Sequence, residues 1–252
     1  MPTYIEEEAP ASESGLDWEE VETPPAFEEL VILCLDTSLS MANDQYPDQP
    51  GISRTQHLID HIFDEKVGLY ARLMGSDARR RFWSTVLTFS DRVEVAFPVT
   101  KLLSPDGARR QRPNPIDPVA RQMLFAHRRG TVIGEVLVVA EQIATGWIEA
   151  AEALPRMVTI AIISDGKPFL DTADAVAEAN RINATQTAVR VHRGLRREPI
   201  VIATAAYGHG DTDQADWSTL KRIATDPVRF YAEPKNGREL RKFLESTILL
   251  ER

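Results

Sequence analysis

Asp36, Ser38 and Ser40 alternate at the end of an unbroken apolar run, Val31 to Leu35, and place three oxygen-bearing side chains on one turn. Oxygen-only ligands suit a hard divalent cation such as Mg²⁺ or Mn²⁺, which takes near-octahedral oxygens and keeps part of its water. The same residues are also ordinary turn and helix-cap residues, so this stretch alone is read equally well as a site or as a cap. A second apolar run, Met157 to Ile163, ends in the same way, in Ser164-Asp165-Gly166. Two strands buried on both faces, each running into an aspartate, tip the reading towards a site.

Those residues have to be held by the elements between them. Arg54 to Leu73 carries apolar residues at helical spacing and closes at Gly75. Phe82 to Phe89 reads as a strand, and Ser90-Asp91 turns it back into Val93 to Phe97, an exposed edge strand antiparallel to it. Gly130-Thr131 opens a helix from about Val132 to Ala153, whose broad apolar stripe suits packing on a sheet. Further elements follow: a helix over Asp171 to Asn183, a third apolar strand from Ile200 to Tyr207, a short helix near Leu220, a short strand at Val228 to Tyr231, and a last helix over Gly237 to Leu250. Strands separated by helices are parallel and share one edge for their carboxyl ends. The expected fold is α/β, a doubly wound, mostly parallel six-stranded sheet with one antiparallel edge strand and helices on both faces. Ligands of such sheets sit where the winding reverses, which places Asp36 and Asp165 face to face.

Composition bounds the function classes. The chain has 252 residues and a formal charge of -9, but ten acids and no Lys or Arg fall in residues 1 to 29, so the remainder is nearly neutral. Residues 1–28 read as an acidic, disordered tail ahead of a domain over 29–252. Leu16, Trp18, Val21 and Phe27 interrupt the acids, so the tail is also a candidate competitor for the site in cis. Two basic insertions are expected, at about 99–129 and 184–198, and nucleic acid is a weak alternative partner for them, since interleaved aromatics are nearly absent. No stretch approaches a membrane span and the N-terminus lacks a secretory pattern, so a cytoplasmic location is expected. Cys34, the one cysteine, reads as a core residue. His57 and His61, four apart on a helix, read as surface residues and not as metal ligands. No nucleophile elbow or phosphate loop is present, and a metal-dependent phosphohydrolase is disfavoured because Ser38 stands where a second Asp would act as acid and base.

Asp36-x-Ser38-x-Ser40, Gly130-Thr131 and Ser164-Asp165-Gly166, in that order, resemble the von Willebrand factor type A (VWA) domain and its metal ion-dependent adhesion site. The Thr88-Phe89-Ser90-Asp91 strand end is similar as well. The resemblance implies direct binding of the ion by Ser38, Ser40 and Thr131, with Asp36 and Asp165 close by, often through water, and no catalytic residue. It further implies a protein partner that offers Asp or Glu to the metal, as in an adaptor. Small cytosolic VWA proteins of bacterial stress-response or defence systems, which work with kinases, phosphatases or AAA+ ATPases, are the nearest kind.

Overall fold

The computed structural model describes residues 27–43, 45–46, 49–64, 67–75, 80–102, 118–151, 154–166, 168–208 and 217–249. The expected acidic tail up to residue 26 and the Pro-rich part of the first basic insertion, 103–117, lie outside the described residues.

In chain order the elements are β1 (Phe27–Asp36), α1 (Leu39–Asn43), β2 (Gln45–Tyr46), β3 (Gln49–Ser53), α2 (Arg54–Phe63), α3 (Leu69–Gly75), β4 (Arg80–Phe89) and β5 (Val93–Leu102). They continue with α4 (Pro118–Leu124), α5 (Ile133–Glu149), β6 (Arg156–Ser164), α6 (Ala175–Arg193), β7 (Ile200–Ala206), α7 (Ser218–Ile223), β8 (Tyr231–Ala232) and α8 (Gly237–Leu249). The main sheet has the order β5-β4-β1-β6-β7-β8. Every neighbouring pair is parallel except β4 with β5, the antiparallel edge.

β1 is central because its residues allow nothing else: Leu30 to Cys34 have no solvent exposure, as a run without polar alternation requires. Its odd-numbered residues Val31, Leu33 and Leu35 pack with α2, α3 and α8, and its even-numbered residues Leu30, Ile32 and Cys34 pack with α5, α6 and α7. Each face thus has its own core, and the period-2 alternation of a strand divides the chain between them. Cys34 is fully buried, as a core cysteine should be, and burial drives its thiol pKa far up, away from thiolate chemistry.

Several boundaries differ from the sequence reading. β1 begins at Phe27, so Phe27 and Glu28 belong to the sheet and not to an acidic tail. The stretch expected as an irregular basic insertion at 184–198 is largely helix: α6 runs to Arg193 and stops at Gly194, which takes the left-handed conformation (φ +63°) of a C-cap. Its Arg190 and His192 are the basic residues a helix C-terminus favours. The single helix expected over Arg54 to Leu73 is two, α2 and α3, because Asp64 ends the first with extended backbone. A small hairpin, β2 with β3, occupies part of the stretch between Met41 and Gly51 read as loop.

Candidate metal centre

The carboxyl ends of β1 and β6 are adjacent in register, with Leu35 opposite Ile163. Asp36 and Ser164 therefore leave the sheet side by side, and the Ser164 hydroxyl donates to Asp36 Oδ2 at 2.5 Å. The other carboxylate oxygen of Asp36 accepts the backbone N–H of Ser38 at 2.7 Å, which turns the chain into α1. Ser38 and Ser40 hydroxyls are 3.0 Å apart, and Ser40 donates onward to Asp165 Oδ1 at 2.9 Å. Because Ser40 spends its hydrogen on Asp165, Ser38 is the donor to Ser40. Both hydroxyl hydrogens point along the chain towards a carboxylate, and oxygen lone pairs are left for a cation.

Asp36 has no solvent exposure. Burial, with the Asp165 charge second, pushes its pKa up to about 7 against the lowering effect of its bonds from Ser164 and Ser38. A proton near neutrality thus sits where a cation would serve better, since a dication would neutralise both carboxylates at once.

Of the expected ligands, Asp36, Ser38, Ser40 and Asp165 are joined by direct hydrogen bonds. Thr131 reaches the same edge by backbone pairing. Ser38 bridges to Arg128, and Thr131 exchanges both backbone hydrogen bonds with Phe169, at 2.8 and 2.9 Å. The Thr131 side chain is buried, but its hydroxyl makes no hydrogen bond with this chain of groups among the described residues. Gly130 is required just before it: φ is +133°, and a Cβ there would lie 2.8 Å from the Asp91 Cα. The turn after β4 accordingly packs against the Gly130-Thr131 segment, and Val132 donates to Ser90 O at 3.1 Å.

Two contributors were not singled out as site residues from sequence. Ser164 orients Asp36 and was read only as part of a motif. Arg54, the first residue of α2, is 2% exposed and donates from Nη1 to Asp165 Oδ2 at 2.7 Å. No local pattern marks it, because its partner lies 111 residues away. One turn further along α2, the His57 ring is hydrogen-bonded through Nδ1 to the Tyr207 hydroxyl just beyond β7, and its Nε2 lies 3.3 Å from His61 Nε2. His57 is buried at 2% exposure, which corrects its reading as a surface residue. Arg54 and His57 therefore tie α2 across the ends of β6 and β7. No group of three or more His, Cys, Asp or Glu side chains suited to a metal occurs among the described residues, so any ion at this edge would rely on hydroxyls.

Rimming the site are three exposed apolar side chains, Leu39 (38%), Phe169 (59%) and Leu170 (60%). Leu170 has φ +62°, a conformation that β- and γ-carbons oppose. It is held by its neighbours: Phe169 pairs with Thr131, and Asp171 accepts the N–H groups of Gly134 (2.5 Å) and Glu135 (3.3 Å) at the start of α5. Asp171 thereby supplies a cap that Val132 lacks.

No family model and no curated protein matches the chain. Solved structures do. Proximal thread matrix protein 1 from the mussel byssus superposes with a TM-score of 0.54 at 16% identity, over 89% of this chain and 46% of that one. A second structure of it, described as having a zinc-occupied MIDAS motif, gives 0.51 at 16% identity over the same shares. A von Willebrand factor type A protein from Catenulispora acidiphila gives 0.50 at 17% identity, over 88% and 42%. The chain spans less than half the length of each of these proteins. The likeness is one of fold, and the fold is that of a VWA domain, with its mostly parallel six-stranded sheet and antiparallel edge.

Proposed function

We propose that this VWA-type fold is a metal-dependent protein-interaction module. The observation that carries the reading is the hydroxyl chain from Ser38 to Ser40 to Asp165, beside a buried Asp36 that takes up a proton near neutrality. Ser38, Ser40 and Thr131 would hold Mg²⁺ or Mn²⁺ through neutral oxygens, with Asp36 and Asp165 balancing its charge, often through water. The ion supplies an electrophilic position for an acidic side chain of a partner protein. The zinc-occupied MIDAS motif of the mussel protein supports a divalent ion in this fold.

Leu39, Phe169 and Leu170 around the site support a protein as the partner, since an apolar rim about a charge-assisted contact keeps water from it. No helix among the described residues is long and apolar enough to cross a membrane. We place the protein in the cytoplasm as an adaptor of a bacterial stress-response or defence system, bound to a kinase, phosphatase or AAA+ ATPase, with its acidic N-terminal segment as a competitor in cis. We do not read the site as an enzyme's.

The test is retention of partners from native host lysate by the intact protein in Mg²⁺, in EDTA, and with Asp36→Asn in Mg²⁺. A protein held only by the unaltered chain in Mg²⁺ is expected. A set of retained proteins identical in all three samples would sink metal bridging.

A further inference from the structure

The edge of the sheet opposite the metal centre carries exposed arginines. α6 ends there in a turn closed by backbone bonds from Gly194 to Val191 O at 3.3 Å and from Leu195 to Arg190 O at 3.0 Å. Two arginines of this neighbourhood meet acids of the fold, Arg190 with Glu198 at 3.1 Å and Arg197 with Glu29 at 3.3 Å. Arg193 and Arg196, between them in sequence, are exposed and make no ion pair among the described residues. The same holds for Arg81, in register with Glu28 on the adjoining strand β4. A helix C-terminus favours Arg193, but Arg196 lies beyond the helix and Arg81 lies on a strand, so the helix dipole does not account for all three. Against them stands one exposed acid at the end of α5, Glu149. Beside the charges two apolar side chains face solvent, Val191 at 68% and Leu195 at 37% exposure.

We infer that residues 17–22 of the same chain, Asp-Trp-Glu-Glu-Val-Glu, dock on this basic edge. Their composition is its complement: four acids, with Trp18 and Val21 among them, in a stretch that has no Lys or Arg up to residue 29. Connectivity supplies the position. β1 begins at Phe27 on this edge, and Glu22 comes five residues earlier, so at about 3.4 Å per residue it lies within roughly 17 Å of Phe27. Exposed ion pairs are weak singly. A segment joined by so short a connection meets the surface at an effective concentration of the order of millimolar, so several weak pairs together suffice. Trp18 and Val21 add to them by covering Val191 and Leu195, which takes apolar surface out of water. Glu6 to Glu8 come nine to eleven residues before Asp17, about 30–36 Å at 3.3 Å per residue and close to the length of β1. Docking here is therefore compatible with competition at the metal centre by the far end of the segment, and it does not depend on a metal.

The experiment attaches a nitroxide to Ser14→Cys in the full chain, since Cys34 is fully buried and does not take the label. Backbone amide signals are compared with the nitroxide oxidised and reduced, in the absence of metal. At about 0.05 M salt the amides of Val191 to Arg196 are expected to lose intensity, and at about 0.5 M, where charges are screened within roughly 4 Å, to regain it. Arg193→Glu combined with Arg196→Glu should abolish the loss at low salt, and Glu19→Gln combined with Glu20→Gln should weaken it. Amides that keep full intensity at low salt would overturn the inference, and so would a loss that the charge reversal leaves intact. If the reversed chain does not fold, the salt series decides, because a loss indifferent to salt also overturns it. A loss confined to Ser38, Ser40, Phe169 and Leu170 would assign the segment to the metal centre alone. Mixing the spin-labelled chain with a ¹⁵N chain that carries no label separates the copies: a loss of intensity in the mixture would put the segment on a second copy and overturn the contact within one chain.

Discussion

β1 has carboxylates at both ends, and they are treated differently. At its start, Glu28 meets Arg156 at 2.9 Å and Glu29 meets Arg197 at 3.3 Å, with Thr159 donating to Glu29 at 3.0 Å. Each acid has an arginine. At its finish, Arg54 meets Asp165 at 2.7 Å, and Asp36 accepts from the Ser164 hydroxyl and the Ser38 backbone N–H. The first arrangement is a seam of ion pairs within the fold. The second holds Asp36 by a hydroxyl and a backbone donor and is edged with exposed apolar side chains. Burial is not the difference, because Glu29 and Asp36 are both at 0% exposure. The donors are the difference: an arginine meets Glu29, whereas a hydroxyl and a backbone N–H hold Asp36.

Removing the charge of Asp36 tests this contrast most severely. Asp36→Asn keeps the shape of the side chain and should lower Mn²⁺ affinity at least about 10³-fold, some 4 kcal/mol, in direct titration. Glu29→Gln, at the opposite end, should leave that affinity within about twofold, since nothing at the centre depends on it. Equal effects of the two changes would erase the distinction between the ends.

The next effect is in pH. The Asp36 pKa is raised from 3.8 to about 7, so the folded state binds this proton more tightly than the unfolded chain does. The stability this group contributes is full below about pH 4 and is lost as pH rises through 7. The loss is at most about 4 kcal/mol, from three pKa units at 1.36 kcal/mol each. Melting of the metal-free protein should therefore show a component falling from pH 5 to 8 that Mg²⁺ abolishes and that Asp36→Asn lacks. A metal-free profile parallel to that of Asp36→Asn would mean that the buried Asp36 is not the group behind the fall.

Glu29→Gln should cost about 1–3 kcal/mol in denaturant unfolding, because the fully buried Glu29 loses its charge-assisted contact with Arg197. Unlike the change at Asp36, this loss should be the same with and without Mg²⁺.

How much of this contrast was legible beforehand depends on the range of the interactions. Asp36, Ser38 and Ser40 lie within one turn, and Asp165 ends a second apolar run, so sequence spacing and strand ends located them. The central place of β1 and β6 was legible for a similar reason: unbroken runs such as Val31 to Leu35 and Met157 to Ile163 belong in the middle of a sheet. Glu28 was assigned to the tail because it closes an acidic stretch, and its arginine lies 128 residues away. Arg54 escaped for the same reason. Arg190 to Arg193 looked irregular because α6 carries little apolar patterning there, although its Asp174 cap, accepting from Val176 and Ala177, and the Gly194 stop are both in the sequence. Local patterns reveal elements and hydroxyl turns. Pairings across the sheet edge require the fold.

Strain sharpens the comparison on a smaller scale. Among the described residues Leu170, beside the candidate centre, is the one non-glycine with positive φ. A leucine in that region costs about 1–2 kcal/mol relative to ordinary backbone, whereas asparagine tolerates it through local hydrogen bonding. Leu170 is 60% exposed, so its side chain recovers little of that cost by burial. Leu170→Asn should accordingly stabilise the isolated protein by about 0.5–1 kcal/mol in denaturant unfolding. The same change removes apolar surface from the rim, so it should weaken retention of a partner held through the metal while leaving Mn²⁺ affinity unaltered. A gain in stability with undiminished partner retention would mean that the strained leucine serves the loop and not the interface. A loss of stability would mean that Leu170 packs in a way its exposure does not suggest, and strain would no longer distinguish this end of the sheet from the other.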